Sequence, residues 1–114
     1  MYEYDATVTK VYDGDTITVD FDLGLYVGLR KQTIRLYGID TPEVQGEERP
    51  DGLVSRDWLR DQILDKKVKI ETRKDGKGKF GRWLGIVKVK QENGEWLNLN
   101  DELVRLGLAE YRDY

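Results

Sequence analysis

Two residue types are missing from this 114-residue chain, and each absence removes a class of chemistry. Without cysteine there is no disulfide framework and no thiolate-bound zinc, although the redox compartment stays undecided. Without histidine there is no Ser-His-Asp triad, no imidazole base and no His-built catalytic zinc. Acid–base work then falls to Asp, Glu, Lys or Tyr. A metal site must be oxygen-rich, which favours a hard cation such as Ca²⁺ or Mg²⁺. No apolar run approaches the ~20 residues that cross a bilayer, so no membrane partner is expected. Strand-like sequence begins at Tyr2, so no signal peptide is expected within the chain. Secretion after removal of a leader and residence in the cytoplasm both stay open.

The length suits one domain, residues 1–114, with one compact core, and a monomer is the default for a domain this small. A net charge of −3 argues against a generally polyanion-binding surface, but the charges are unevenly spread. Lysines and arginines crowd the stretch from Lys66 to Arg82, while acids gather in Asp13–Asp22 and Glu43–Asp51.

Taken in order, the chain reads strand, strand, strand, helix, strand, strand, helix. Met1–Tyr12 is a rough first strand, ended by the hairpin signal Asp13-Gly14-Asp15-Thr16. Ile17, Val19 and Phe21 alternate with polar residues as a half-buried second strand. Leu29–Ile39 is expected as the third, in which Ile34 and Leu36 alternate with Arg35 and Tyr37. A polar loop, Glu43–Gly52, leads to a helix over Leu53–Leu64 with an apolar stripe of Val54, Trp58, Leu59 and Ile63. Lys67–Arg73 and Leu84–Val89 return to strand, with a turn at Glu92-Asn93-Gly94-Glu95. Asn98 or Asn100 caps a last helix running to Leu106, ended by Gly107. Three strands before the first helix disfavour a doubly wound parallel sheet. The order fits an α+β, mainly β domain. It would be a five-stranded OB-fold Greek-key barrel with one helix after strand three and one at the C-terminal end.

Chemistry concentrates in two places. Asp13-Gly14-Asp15-Thr16 reads first as a turn with solvated carboxylates, and second as a source of a hard-cation ligand, Asp15. It lacks the ligand spacing of an EF-hand. Asp40-Thr41-Pro42-Glu43 reads as a capped turn, or as a second carboxylate and a backbone carbonyl suited to Ca²⁺. Glu43, three residues on, is spaced to hold a water as general base. Arg35 is either solvated, paired with Glu43 or Glu71, or a phosphate ligand; Arg82 is either a surface charge beside Trp83 or the same. Guanidinium supplies the planar fork that a phosphodiester needs as charge grows on its oxygens. Two acids, a base and two arginines point together to phosphoryl transfer.

Four blocks then carry a resemblance: Asp13–Thr16, Arg35–Glu43, Lys79-Phe80-Gly81-Arg82 and Leu103–Ala109. In order and spacing they resemble the staphylococcal (micrococcal) nuclease family over nearly the whole chain. The resemblance implies a Ca²⁺-dependent phosphodiesterase that cuts DNA and RNA at the 5′ oxygen and leaves 3′-phosphate ends. It implies Asp15 and Asp40 as metal ligands with the Thr41 carbonyl, Glu43 as general base, and Arg35 with Arg82 as the phosphate clamp. Lys79 and Phe80 fall at the family's terminal-phosphate contact, where Phe80 replaces a tyrosine and lacks its hydroxyl. Tyr111 or Tyr114 is expected to stack on a base. The loop that is lysine-rich in the best-known member is here Gln45-Gly46-Glu47-Glu48-Arg49, which weakens polyanion approach. The chain also stops at Tyr114, short of that member's third helix. The competing expectation is a catalytically silent OB-fold module that binds nucleic acid or protein; the presence of all five chemical side chains weighs against it.

Overall fold

The computed structural model describes residues 2–73 and 82–112. The Asp13-Gly14-Asp15 turn folds the chain back on itself, so β1 (Glu3–Asp13) and β2 (Thr16–Asp22) pair antiparallel. β3 (Gly28–Leu36) adds to β2. After the first helix, α1 (Arg49–Ile63), β5 (Lys67–Arg73) returns to the free side of β1, and β6 (Arg82–Lys90) pairs with β5. A parallel pairing of β6 with β3 then closes the sheet into a five-stranded barrel. This is the OB-fold arrangement, mainly β with two helices, as the order of elements predicted. Closure leaves β1, β2, β3, β5 and β6 paired on both sides.

Alternation along each strand fills the interior. Val8, Ile17, Val19, Ile34, Leu36 and Ile70 point inward and are fully buried, joined by Leu59 and Ile63 from α1 and by Leu99 and Leu103 from α2 (Leu99–Arg105). Gly85 on β6 is small for a reason: a Cβ there would come 2.8 Å from the Ile70 side chain and 3.2 Å from that of Ile34. The predicted cap is resolved in favour of Asn98, whose side chain accepts from the Asp101 N–H at 3.1 Å. Gly107 follows the helix with φ +76°, a conformation that suits glycine. The turn at residues 91–95 leads into β7 (Trp96–Asn98), with Gly94 N–H donating to Gln91 O. No helix among the described residues is long and apolar enough to cross a membrane.

Three expectations need correction. Among the described residues the first strand runs Glu3–Asp13 rather than the expected Met1–Tyr12; Met1 lies outside them. The third strand is not continuous to Ile39: it stops at Leu36, turns at Tyr37-Gly38 with Gly38 at φ +79°, and resumes as the short β4 (Ile39–Asp40). β4 pairs with β8 (Glu110–Tyr111), which places Glu110 opposite Asp40. The helix begins at Arg49, inside the predicted loop, after a 3₁₀ turn over Gly46–Glu48. Its buried face is Gly52, Ser55, Leu59 and Ile63, and Val54 is exposed.

Candidate active site

The hairpin turn between β1 and β2 is buried, contrary to the reading with solvated carboxylates. Gly14 lets it sink: a Cβ at this position would come 2.8 Å from both Ser55 Cβ on α1 and Thr41 Cγ2 beyond β4. Asp13 and Asp15 are accordingly 6 % and 5 % exposed. Asp15 Oδ1 accepts from the Thr16 hydroxyl at 3.2 Å and Oδ2 from the Thr41 N–H at 3.1 Å, which ties the turn to the end of β4. Asp13 Oδ1 accepts from the Asp15 N–H at 3.0 Å. Burial, and then the neighbouring Asp15 carboxylate, push the Asp13 carboxyl up to about 7.

Arg35 joins this turn to β4. Its Nη1 lies 2.8 Å from Asp15 Oδ2 and donates to Ile39 O at 3.1 Å, while Nη2 reaches Asp40 Oδ1 at 3.3 Å. The side chain is only 11 % exposed. Its partners are thus Asp15 and Asp40, neither Glu43 nor Glu71. A guanidinium has five N–H donors, so Nε and one Nη2 hydrogen stay available to a further acceptor. Asp40 itself is half in solvent.

Beside Asp40 opens a cleft of about 420 Å³ lined by Thr41, Glu43, Asp51, Val54, Ser55 and Glu110, among others. Glu43 is exposed at this cleft, close in sequence to the buried Thr41. The main chain that carries it is pinned by α1: a Cβ on Gly52 would overlap the Glu43 carbonyl and come 2.9 Å from Pro42 O. Ser55 Oγ donates to Leu108 O at 2.7 Å, fastening the same helix to the segment after α2.

Arg82 begins β6 opposite Thr33, on the face and within two positions of Leu84, which pairs with Arg35. The two arginines thus come from adjacent strands of the closed barrel. Tyr111, by contrast, does not line the cleft; it is exposed in β8, and its hydroxyl donates to Asp101 Oδ1 at 3.1 Å, which raises its pKa. Lys79, Phe80 and Tyr114 lie outside the described residues.

Sequence reasoning missed Gly52, Ser55 and Asn100. Asn100, read as a possible cap, is 3 % exposed and donates through Nδ2 to Tyr37 O at 2.9 Å and Gly85 O at 3.1 Å. Its Oδ1 accepts from the Val87 N–H at 3.1 Å. It anchors α2 to β6 and to the turn that precedes Asp40. The only available signal was an amide beside a second amide that caps equally well.

The atoms that Asp15, Asp40 and Thr41 can offer a cation are all oxygens, and the Thr41 hydroxyl is buried without a hydrogen-bond partner among the described residues. The described residues hold no group of three or more carboxylates gathered as a ligand shell. Two carboxylates with carbonyl and water oxygens match the mixed oxygen ligation of a hard cation, so the residues fit one.

Residues 33–114 match the family described as staphylococcal nuclease homologue. The chain belongs to that family. Among curated relatives it is 33 % identical to a thermonuclease of Staphylococcus hyicus and 30 % identical to one of Staphylococcus intermedius. Each alignment covers 94 % of this chain and 59 % of the relative, so the chain spans a little over half the length of either. A "probable endonuclease LCL3" of Komagataella phaffii is 35 % identical over 71 % of the chain and 36 % of its own length. These relatives place the chain in a family of nucleases.

Proposed function

We propose that this protein is a Ca²⁺-dependent nuclease that hydrolyses DNA and RNA at the bond to the 5′ oxygen, leaving 3′-phosphate ends. The observation that carries the reading is the Arg35 guanidinium bridging buried Asp15 and strand-end Asp40, beside the cleft that Glu43 faces. In this reading Asp15, Asp40 and the Thr41 carbonyl would hold the cation. When bound, it supplies positive charge to the phosphate and acidifies water. Glu43 takes a proton from the water that attacks phosphorus. The bond to the 5′ oxygen breaks on the opposite side, and the leaving oxygen picks up a proton from solvent. Arg35, through its remaining N–H donors, and Arg82 offset the negative charge that grows on the non-bridging oxygens. With no histidine in the chain a carboxylate serves as base; Glu43 lines the cleft with Asp51 and Glu110, and its place in the Asp40–Glu43 motif is what favours it.

The test is hydrolysis of denatured DNA with Ca²⁺ and with chelator, comparing the parent with Glu43→Gln and Arg82→Ala. Expected is chelator-sensitive cleavage that Glu43→Gln nearly abolishes. Arg82→Ala should cost about 3–4 kcal/mol of transition-state stabilisation, the scale of one removed oxyanion donor. No metal-dependent cleavage by the parent above the Glu43→Gln background overturns the reading and leaves the catalytically silent module that binds nucleic acid or protein. Arg82→Ala with intact turnover removes Arg82 from the clamp.

A further inference from the structure

A second basic feature lies on the outer face of the barrel, beyond the residues used above. Arg35 on β3 pairs with Leu84 on β6, and Leu84 pairs with Arg73 on β5. Residues directly opposite on neighbouring strands share a face. Gly85, next to Leu84, points into the core against Ile70 and Ile34, so Leu84 and both arginines face outward. Tyr37 extends the same side: its N–H continues the β3–β6 ladder by donating to Gly85 O at 2.8 Å, and its side chain is partly exposed. The Arg73 guanidinium lies over the Tyr37 ring, 5.5 Å from its centroid.

We propose that Arg73 and Tyr37 form a further contact site for single-stranded nucleic acid, taking the phosphate and base of a nucleotide on the side of Leu84 away from Arg35. The inference rests on the reading of Arg35 as a ligand of the scissile phosphate. OB-fold barrels contact roughly 4–16 nucleotides, so a strand held at Arg35 continues across the barrel. Two strand spacings, about 10 Å, separate the Arg35 and Arg73 backbones, and Leu84 forms an apolar step between them. Arginine matches a phosphate with its fork and offers its plane for base stacking, as tyrosine offers its ring. The cation–π contact holds the guanidinium in place before the ligand arrives, which lowers the ordering cost of binding. Glu71 Oε2 lies 3.6 Å from Arg73 Nη2, a long and partly exposed pair that a phosphate can exchange with at small cost.

The experiment measures binding of a fluorescent, unstructured 12-nucleotide pyrimidine DNA by anisotropy over a range of salt. It uses Glu43→Gln protein in Ca²⁺, with and without Arg73→Gln or Tyr37→Leu, and Lys10→Gln as a charge-matched control on β1. Arg73→Gln should weaken binding roughly five- to tenfold and reduce the salt slope by about 0.7, the loss of one single-strand phosphate contact. Tyr37→Leu should weaken binding with the slope kept. In the otherwise unmutated enzyme, Arg73→Gln should raise KM for the 12-mer and spare kcat, with a smaller effect on a dinucleotide. A merely structural pair would lower the melting temperature without moving the salt slope. Affinity and slope for Arg73→Gln equal to those of Lys10→Gln overturn the proposal, even if the parent cleaves DNA. Arg73-dependent binding by a parent that does not cleave supports the contact site and overturns the catalytic reading alone. A parent that neither binds nor cleaves overturns both.

Discussion

Gly52 lies directly against the main chain of Glu43, so closely that any side chain at 52 would occupy the space of the Glu43 carbonyl. Replacing a helical glycine by alanine ordinarily stabilises by about 1 kcal/mol. Here the overlap, with Glu43 backbone and Pro42 O on the other side, costs about 1–3 kcal/mol instead. Gly52→Ala should therefore lower the melting temperature. It should also slow DNA cleavage by tenfold or more, since a displacement of about 1 Å can cost 10²-fold. Melting curves and single-turnover rates check this together. A more stable, fully active variant would show that α1 does not set the position of residue 43.

Arg35 balances two carboxylates, one of them buried. Removing it leaves Asp15 uncompensated, and breaking a buried pair typically costs about 3–5 kcal/mol. Arg35→Ala should thus melt well below the parent in chelator. With the cation held as proposed, it should also gain more from Ca²⁺ than the parent does, because the ion would no longer share Asp15 and Asp40 with a guanidinium. Melting temperatures at several Ca²⁺ concentrations measure the coupling. An equal Ca²⁺ shift in both proteins would place the ion away from Asp15 and Asp40.

Asp13 and Asp15 put two carboxyl groups in one buried turn. Asn at 13 keeps a carbonyl to accept the Asp15 N–H, now made at 3.0 Å, and removes the charge that burial and Asp15 disfavour. In chelator at pH 8, Asp13→Asn should melt higher than the parent. A lower melting temperature would mean that the Asp13 charge is compensated within the turn.

The barrel was legible because alternation along β2 and β3 and the Asp-Gly-Asp turn are local signals. Recognisable motifs also marked Asp15, Arg35, Asp40 and Glu43. What sequence could not show was the depth of that turn. Asp13 and Asp15 are buried only because Gly14 admits Thr41 and Ser55, residues 27 and 41 positions further along. The same blindness affected α1. Counting large apolar residues found Leu59 and Ile63, which are buried, but also selected Val54, whereas the first half of the helix packs through Gly52 and Ser55, suited by smallness and a hydroxyl rather than by hydrophobicity. Gly38 supplies the third case: its positive φ splits the expected strand and aims Asp40 at Arg35.

Asn98 and Asn100 look interchangeable as caps, yet the structure gives them different weights. Asn98 makes one exposed cap bond, to the Asp101 N–H, and Asn98→Ala should cost about 1 kcal/mol. Asn100 meets three backbone groups: Val87 N–H and Gly85 O, both in buried contacts, and Tyr37 O in a part-buried one, while Gly85 O also accepts from the Tyr37 N–H. Leaving a buried partner unsatisfied costs about 1–3 kcal/mol, so Asn100→Ala should lose several times as much as Asn98→Ala. Asn100→Asp keeps an acceptor for Val87 but turns carboxylate oxygens towards two carbonyls, and should be no better at neutral pH. Because Tyr37 O belongs to the turn that delivers Asp40, Asn100→Ala should also weaken the stabilisation by Ca²⁺ that the proposed function implies, at temperatures where the protein stays folded, whereas Asn98→Ala should not. Denaturant titrations with and without Ca²⁺ separate the two. Equal losses would reduce Asn100 to a second cap.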